Sequence, residues 1–474
     1  MLFHEPQFLV FLAGVCLLWL LVHRVNFLSK ALLLAASGVF YATFGSRNCI
    51  LLLLAGARTH RPRVRLLVAT VAVLCNLAIL CCFKYHDLVS KAAAALAPWH
   101  PSFLDWLLPV GMSFYILQSI AYIVDVYRTT CRACRNPLDV ALLICFFPKL
   151  VLGPLVRPAE FLAQLASRRP LLLAHLADAL PLFAMGLFKK VCLADTLATF
   201  VNPVFARPQG HSAADGALCL LAYSFQIYYD FSGCIDMVRA VALLLGYTLP
   251  PNFNAPYCAT SVTDFWRRWH ITLSLWLRDY LFLPLAFRLS ALWQRPCYLG
   301  IRADSIVYSC AALVTMLVCG IWHGAGLTFA IWGAYHGAWL VIERFVYPRS
   351  TRPNYRLSLP VALLRWCCTF LVITAGWLVF RAASLNDIGL FAAMFRNLNG
   401  PLSMPQPCVL IVLGSVAWTL ARLILPYLPA IPVLRAPILQ FLLGIARGAG
   451  ALLLLIFALV FACNATTPFI YFQF

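Results

Sequence analysis

The chain has 474 residues, of which 63% are hydrophobic and only 11% are charged. An ordinary soluble domain has roughly 45–50% apolar and about 25% charged residues, so this composition excludes a water-soluble globular protein. The formal net charge of +20 arises from 36 Lys and Arg against 16 Asp and Glu. We expect this excess either to mark cytoplasmic loops or to attract an acidic substrate or anionic cofactor. A nucleic-acid partner is not expected for so apolar a chain.

Long apolar runs recur along the whole chain, and about 20 apolar residues suffice for one helical crossing of a membrane. The runs cover residues 7–22, 31–55, 66–83, 104–124, 138–156, 171–193, 214–229, 238–249, 306–322, 325–346, 358–380, 407–428 and 438–462. They predict an all-α, polytopic bundle of about 11 to 13 membrane segments, some of them re-entrant. The first run has no basic residue ahead of it, so we interpret it as a retained span. We expect a single membrane domain over residues 1–474.

Most of the 19 cysteines lie inside these apolar runs, where a thiol packs as a small hydrophobic group. Cys131 and Cys134 have the spacing of metal ligands. No second Cys or His pair lies at partner spacing, so the sequence predicts no metal site.

Two carboxylates, Asp230 and Asp236, interrupt an apolar stretch, and Gly233 between them is expected to break the helix. One interpretation is that these carboxylates form ion pairs with Arg239 or with the pair Arg267–Arg268. The alternative is that they help to shape a reaction chamber.

An amphipathic pattern begins at Ser261, which stands three residues before Asp264 as in a helix-capping box. Aromatic and leucine side chains then recur at helical intervals, namely Trp266, Trp269, Leu273, Trp276, Leu277 and Tyr280. A separate stripe carries Arg267, His270, Ser274 and Arg278. The pattern predicts a helix at the membrane interface. It is either a surface anchor or a site where one imidazole and two guanidiniums bind the phosphates of a nucleotide-containing acyl donor.

Residues 305–342 contain no Asp, Glu, Lys or Arg, and His323 lies near the middle of this stretch. A polar residue is costly in lipid, so we expect it to face a protein-lined cavity. Burial disfavours the imidazolium, which leaves a neutral ring able to accept a proton. The alternative is a structural histidine bonded to a neighbouring helix. His336 would lie about 20 Å away along an uninterrupted helix, so we interpret it as structural unless the chain folds back between the two residues.

Several stretches in a fixed order resemble one family of membrane enzymes. They are PVGMSFY at 109–115, FPKLVLGP at 147–154, GLFKK at 186–190, QIYYDFSG at 226–233, NFNAPY at 252–257, DFWRRWH at 264–270, WLRDY at 276–280, WHGA at 322–325 and GWLVFR at 376–381. The chain resembles the membrane-bound O-acyltransferase family, in the branch that contains the alginate O-acetyltransferase membrane subunit. The resemblance covers a core of about residues 109–381.

The resemblance implies that His323 is the essential residue, placed in a tunnel through the membrane, and that His270 is a second polar residue of the site. Candidates for binding donor or substrate are Asp264, Arg267, Arg268, Trp322 and Asp230. The implied donor is cytoplasmic acetyl-CoA, with no permanently bound cofactor. A multi-pass location in the bacterial inner membrane and a separate periplasmic esterase-like partner are also implied, and the acceptor is expected to be a polysaccharide.

The chain departs from the family pattern directly after residues 283–285. The family usually has a glycine-rich turn at this point, whereas this chain has Ala286, Phe287 and Arg288. The acceptor therefore stays open among alginate, cellulose, peptidoglycan and a teichoic-acid carrier. Two rival functions are a transporter that performs no chemistry and a scaffold of a polymer-export complex. Inverted repeats would favour a transporter, and the sequence shows none.

Overall fold

The computed structural model describes residues 2–43, 62–85, 111–167, 175–346, 357–427, 449–450, 452–457 and 470. Helices dominate these residues, which confirms the all-α prediction. The first nine helices in chain order are α1 (Pro6–Val22), α2 (Asn26–Ala42), α3 (Pro62–Lys84), α4 (Met112–Tyr127), α5 (Pro137–Cys145), α6 (Phe147–Leu150), α7 (Pro158–Ala166), α8 (Leu176–Phe188) and α9 (Asp195–Ala206). A π-helical segment, Lys189–Ala194, joins α8 to α9.

The remaining elements begin with the longest of the described helices, α10. They are α10 (Ala213–Leu244), α11 (Val262–Arg268), α12 (Ile271–Leu277), a π-helical turn (Arg278–Phe282), α13 (Leu283–Leu292), the strands β1 (Cys297–Tyr298) and β2 (Ile301–Arg302), α14 (Ala303–His323), α15 (Leu327–Val346), α16 (Leu359–Arg381), α17 (Leu385–Ala393) and α18 (Gln406–Ile424). Short 3-10 turns occupy Pro208–Gly210, Pro256–Cys258, Met394–Arg396 and Leu425–Tyr427. The two strands form an antiparallel hairpin.

Four of the described helices are long and apolar enough to cross a membrane, which confirms a multi-pass membrane protein. These candidate spans are Arg63–Lys84, Ala303–His323, Leu359–Arg381 and Gln406–Tyr427. Parts of the runs predicted at 31–55, 104–124, 171–193, 407–428 and 438–462 lie outside the described residues, so the predicted count of 11 to 13 segments stays a prediction.

The chain groups into two compact units. Unit 1 comprises Met1–Gly186 and Cys234–Pro250, and unit 2 comprises Leu187–Gly233 and Pro251–Phe474. In unit 1, the buried Lys30 and Asp139 form an ion pair of 2.6 Å between α2 and α5. The Gln118 amide both donates to the carbonyl of Val156 and accepts from its N–H. These paired contacts fix α4 against the chain that follows α6, because buried polar groups need partners.

The predicted break at Gly233 is wrong. Helix α10 runs without interruption across this glycine. An apolar helix packed inside a protein tolerates one glycine, whose cost is only about 1 kcal/mol relative to alanine. Asp236 lies 3.8 Å from Arg239 on the same helix, as one interpretation of the sequence expected.

The predicted continuous helix after Ser261 is also wrong, because the chain breaks between α11 and α12. The start is as predicted, since the Ser261 hydroxyl accepts the Asp264 N–H at 3.0 Å. Trp269 and His270 then leave the helix, and His270 adopts left-handed backbone with φ +42°. Histidine is among the residues that populate this region more readily than most.

Candidate functional site

His323 lies at the end of a tight antiparallel hairpin formed by α14 and α15. The helices approach closely because glycines face one another at the contact. A Cβ on Gly320 would lie 2.2 Å from the Phe329 carbonyl oxygen, and one on Gly333 would lie 2.3 Å from the Met316 carbonyl oxygen. Any larger residue would push the helices apart. The hairpin therefore fixes the position of its connecting turn and of the histidine beside it.

The turn itself depends on Gly324. A Cβ at this position would fall 2.2 Å from the Phe329 ring, so only glycine lets the ring cover the turn. Gly324 therefore permits the close contact between the turn and Phe329. The turn ends α14 at His323 and starts α15 at Leu327.

Aromatic rings surround the His323 imidazole, which is 7% exposed. Its centroid lies 4.8 Å from Trp322, 5.3 Å from Trp332 and 5.3 Å from Phe380, in edge-to-face arrangements. Such walls limit access of bulk water to the ring, which strengthens electrostatic interactions at the imidazole. Trp322, the residue directly before His323 in the chain, is therefore part of this aromatic wall.

His336 is closer to His323 than a single helix would allow, because the chain folds back at the turn. The Trp332 ring contacts both imidazoles, with centroids 5.3 Å from His323 and 4.9 Å from His336. His336 is 1% exposed, and within the described part of the chain its ring nitrogens have no hydrogen-bond partner. The separation of about 20 Å applies only to an uninterrupted helix, and here the chain folds back between His323 and Leu327.

His270 occupies the break between α11 and α12 and is fully buried. The break is braced by Asn252, whose carbonyl accepts the Ile271 N–H at 2.9 Å and whose side chain accepts from both the amide and the hydroxyl of Thr272. The imidazole meets the Phe231 ring edge-to-face at 4.8 Å. Burial lowers the pKa of His270 to about 3, so its ring is neutral at physiological pH.

The two arginines of α11 differ in their surroundings. Arg268 Nε donates to both carboxylate oxygens of Asp264, at 2.9 and 3.0 Å. Arg267 is exposed, and it forms no hydrogen bond or ion pair with the residues that the structure describes. The charge of Arg268 is therefore balanced by Asp264, whereas the Arg267 guanidinium can bind an anion.

Asp230 belongs to a buried ion cluster that sequence reasoning did not identify. Lys190 Nζ lies 2.8 Å from both Asp230 Oδ1 and Asp195 Oδ1. The second oxygen of Asp230 accepts the Ile470 N–H at 2.9 Å. The expected partners were Arg239 or the Arg267–Arg268 pair. The observed partner is Lys190.

The comparisons with known proteins decide the family. Over 442 residues the chain is 37% identical to the "Probable alginate O-acetylase AlgI" of Pseudomonas putida, and the match covers 89% of this chain and 86% of the relative. The chain belongs to the membrane-bound O-acyltransferase family. The model of this family, "MBOAT, membrane-bound O-acyltransferase family", matches residues 135–295.

Other relatives of this membrane-bound O-acyltransferase differ in their named acceptors. The protein of the same AlgI name from Pseudomonas syringae is 40% identical over 72% of this chain. The "Peptidoglycan O-acetyltransferase" of Helicobacter pylori is 34% identical over 67% of it. In both matches the chain spans 62% of the relative's length, which is less than two thirds.

The site of this membrane-bound O-acyltransferase divides into residues that meet and residues that lie apart. His323 and Trp322 contact each other, and Trp332 connects them to His336. The polar pair of Asp264 and Arg268 lies on α11, and Asp230 lies in its own ion cluster. Sequence reasoning missed Trp332, although its spacing from His336 within α15 places both on one helical face.

Proposed function

We propose that the chain is a membrane O-acetyltransferase that takes an acetyl group from cytoplasmic acetyl-CoA. The group passes across the bacterial inner membrane for O-acetylation of an exopolysaccharide such as alginate. The observation that carries this proposal is the buried His323 in its aromatic surroundings, in a chain whose relatives carry O-acetylase names. Final transfer to the polymer requires a periplasmic esterase-like partner.

In the proposed reaction, His323 acts as a general base. The hydroxyl of a first acceptor, from which the periplasmic partner later takes the acetyl group, gives its proton to the neutral imidazole while its oxygen attacks the acetyl carbonyl carbon of the thioester. The carbon–sulfur bond breaks, and the imidazolium returns the proton to the leaving CoA thiolate. The exposed Arg267 guanidinium binds a phosphate of the donor, while Trp322 and Trp332 hold the imidazole in place.

The decisive experiment replaces His323 by alanine or glutamine in the full chain. Loss of a general base typically lowers the rate by about 10²–10⁴-fold, so we expect polymer acetylation to fall to background. The amount of protein inserted in the membrane should stay the same. His23→Ala, at a partly exposed position in unit 1, serves as the matched control. Ester content near the wild-type level in a His323 variant would refute the proposal.

A second experiment separates an enzyme from a transporter. Labelled acetyl-CoA is supplied to the purified chain together with its periplasmic partner, and free CoA is measured. An acetyltransferase releases CoA in proportion to acetylated acceptor, whereas a transporter that performs no chemistry leaves the thioester intact. Supplying alginate, cellulose or peptidoglycan fragments in parallel identifies the acceptor.

A further inference from the structure

The hairpin of β1 and β2 presents an apolar side chain at its tip. Leu299 and Gly300 form its two-residue turn, with φ of +50° and +78°. Turns of this kind favour Asn or Gly at the first position, because a branched side chain is sterically unfavourable in left-handed backbone. Leu299 is nevertheless present there and is fully exposed. The turn therefore holds a leucine where backbone geometry alone would select another residue.

More apolar side chains surround this tip. Leu292 is 74% exposed at the end of α13, and Ile301 is 42% exposed on β2. Trp293 and Tyr298 between them are half-buried. Aromatic residues of this kind are enriched at the boundary between the hydrocarbon core and the lipid headgroups. The segment thus combines an exposed apolar tip with interfacial aromatics.

The charge of the same segment is positive. Residues 280–303 contain no Asp or Glu, and they include the exposed arginines Arg288, Arg295 and Arg302. Arg302 Nε donates to Asp304 at 3.0 Å, but Arg344 shares this carboxylate at 2.8 Å. One carboxylate therefore balances two guanidiniums, and the surface keeps a positive charge that complements anionic headgroups.

The position of the hairpin in the chain sets its depth in the membrane. Arg302 is followed directly by Ala303–His323, a candidate span of 21 residues. At 1.5 Å per residue this helix is about as long as the hydrocarbon core is thick, roughly 30 Å. A helix of this length that crosses the membrane would place the hairpin at the level where the hydrocarbon core meets the headgroups.

We propose that the end of α13 and the β1–β2 hairpin form a docking surface for anionic phospholipid. Leu299 enters the apolar boundary, and Arg288, Arg295 and Arg302 bind headgroup phosphates. The role of this surface is independent of the acetyl-transfer chemistry.

The test measures hydrogen–deuterium exchange of residues 297–302 in the full chain, placed in nanodiscs of phosphatidylcholine alone or with phosphatidylglycerol. In wild type, exchange should slow when phosphatidylglycerol is added, by about fivefold for each arginine that binds it. In the Arg295→Gln variant, residues 297–302 should exchange at the wild-type rate in phosphatidylcholine. Added phosphatidylglycerol should slow their exchange about fivefold less than it does in wild type. Leu299→Asn should keep the turn, because Asn suits left-handed backbone, yet exchange faster in both lipids.

Two exposed residues elsewhere in unit 2 provide matched controls, Leu398→Asn and Arg396→Gln, and neither should change exchange in the hairpin. Equal exchange of the wild-type hairpin in detergent and in both nanodiscs would overturn the proposal. Protection that depends on an added protein and not on the lipid would overturn it as well, in favour of a protein partner.

Discussion

At the scale of single residues, His270 shows how burial fixes a protonation state. Its folded pKa is about 3, below the value of 6.5 for an exposed ring. Between these values the unfolded chain binds a proton that the folded chain does not, so stability falls as pH decreases from about 6.5 towards 3. Above pH 6.5 both states are neutral and this contribution to stability is fully present.

We predict that His270→Asn removes this pH-dependent component. Asn tolerates the left-handed backbone at this position, so the break between α11 and α12 is kept while the titrating ring is lost. Thermal unfolding of both proteins in detergent, followed from about pH 7.5 to about 4.5, measures the effect. The variant starts lower because contact with Phe231 is lost, but its Tm should fall less steeply with acid. Parallel curves for the two proteins would show that His270 does not titrate as described.

The two arginines of α11 allow a second residue-scale prediction. Arg267→Gln should raise KM for acetyl-CoA about tenfold, the effect of losing one charge-assisted hydrogen bond. Arg268→Gln should change KM less and lower stability by at most about 1 kcal/mol, because its half-exposed guanidinium pairs with Asp264. Steady-state kinetics and thermal unfolding of both variants test this. An equal rise in KM would mean that Arg268 leaves Asp264 to bind the donor.

At the scale of elements, one carboxylate of α15 binds the start of α11, beside the contacts of Trp266 with Trp332 and His336. Glu343 accepts hydrogen bonds from the Val262 and Thr263 amides and from the Thr263 hydroxyl. We predict that Glu343→Gln lowers stability by about 1–3 kcal/mol, because its amide group would face N–H donors that a carboxylate satisfies. The measurement is chemical denaturation in detergent micelles.

Ser261→Ala provides the comparison for Glu343→Gln. It removes the N-cap of the same helix, at a cost of about 1 kcal/mol, but leaves the contact with α15 in place. Hydrogen exchange of residues 262–268 should therefore rise more in Glu343→Gln than in Ser261→Ala. If the two variants reverse this order, Glu343 does not hold α11.

The elements also show where sequence patterns stop being informative. The capping signal at Ser261 is local, and the helix begins where it predicts. The break at His270 depends on Asn252, eighteen residues earlier, and helical periodicity contains no information about such a contact. Likewise, the uninterrupted path of α10 across Gly233 depends on surrounding packing, which overrides the local preference of glycine.

At the scale of the whole molecule, composition and ordered motifs were sufficient to predict a polytopic, all-α member of its family. Trp332 contacts both His323 and His336 because the turn at Gly324 reverses the chain. The sequence alone does not show how far the chain folds back there. The existence of a passage to His323 and the roles of the donor-binding candidates stay predictions.

One cluster joins residues far apart in sequence, namely Lys190, Asp230 and the backbone of Ile470. The side chains of Lys190 and Asp230 are 1% and 3% exposed, and removing one partner of a buried pair typically costs about 3–5 kcal/mol. Lys190→Met leaves two carboxylates, Asp195 and Asp230, without their cation, so we expect a loss in that range. Asp230→Asn should cost less, because Lys190 keeps Asp195 and the neutral side chain can still accept the Ile470 N–H.

Denaturation of both variants in detergent micelles, together with KM for acetyl-CoA, distinguishes a structural from a binding role for Asp230. A structural role predicts that Asp230→Asn lowers the free energy of unfolding while KM is unchanged in the folded fraction. A raised KM with unaltered stability would instead assign Asp230 to the donor site, as the sequence first suggested. Asp195→Asn is the matched control, because it removes the other carboxylate and leaves Asp230 paired with Lys190.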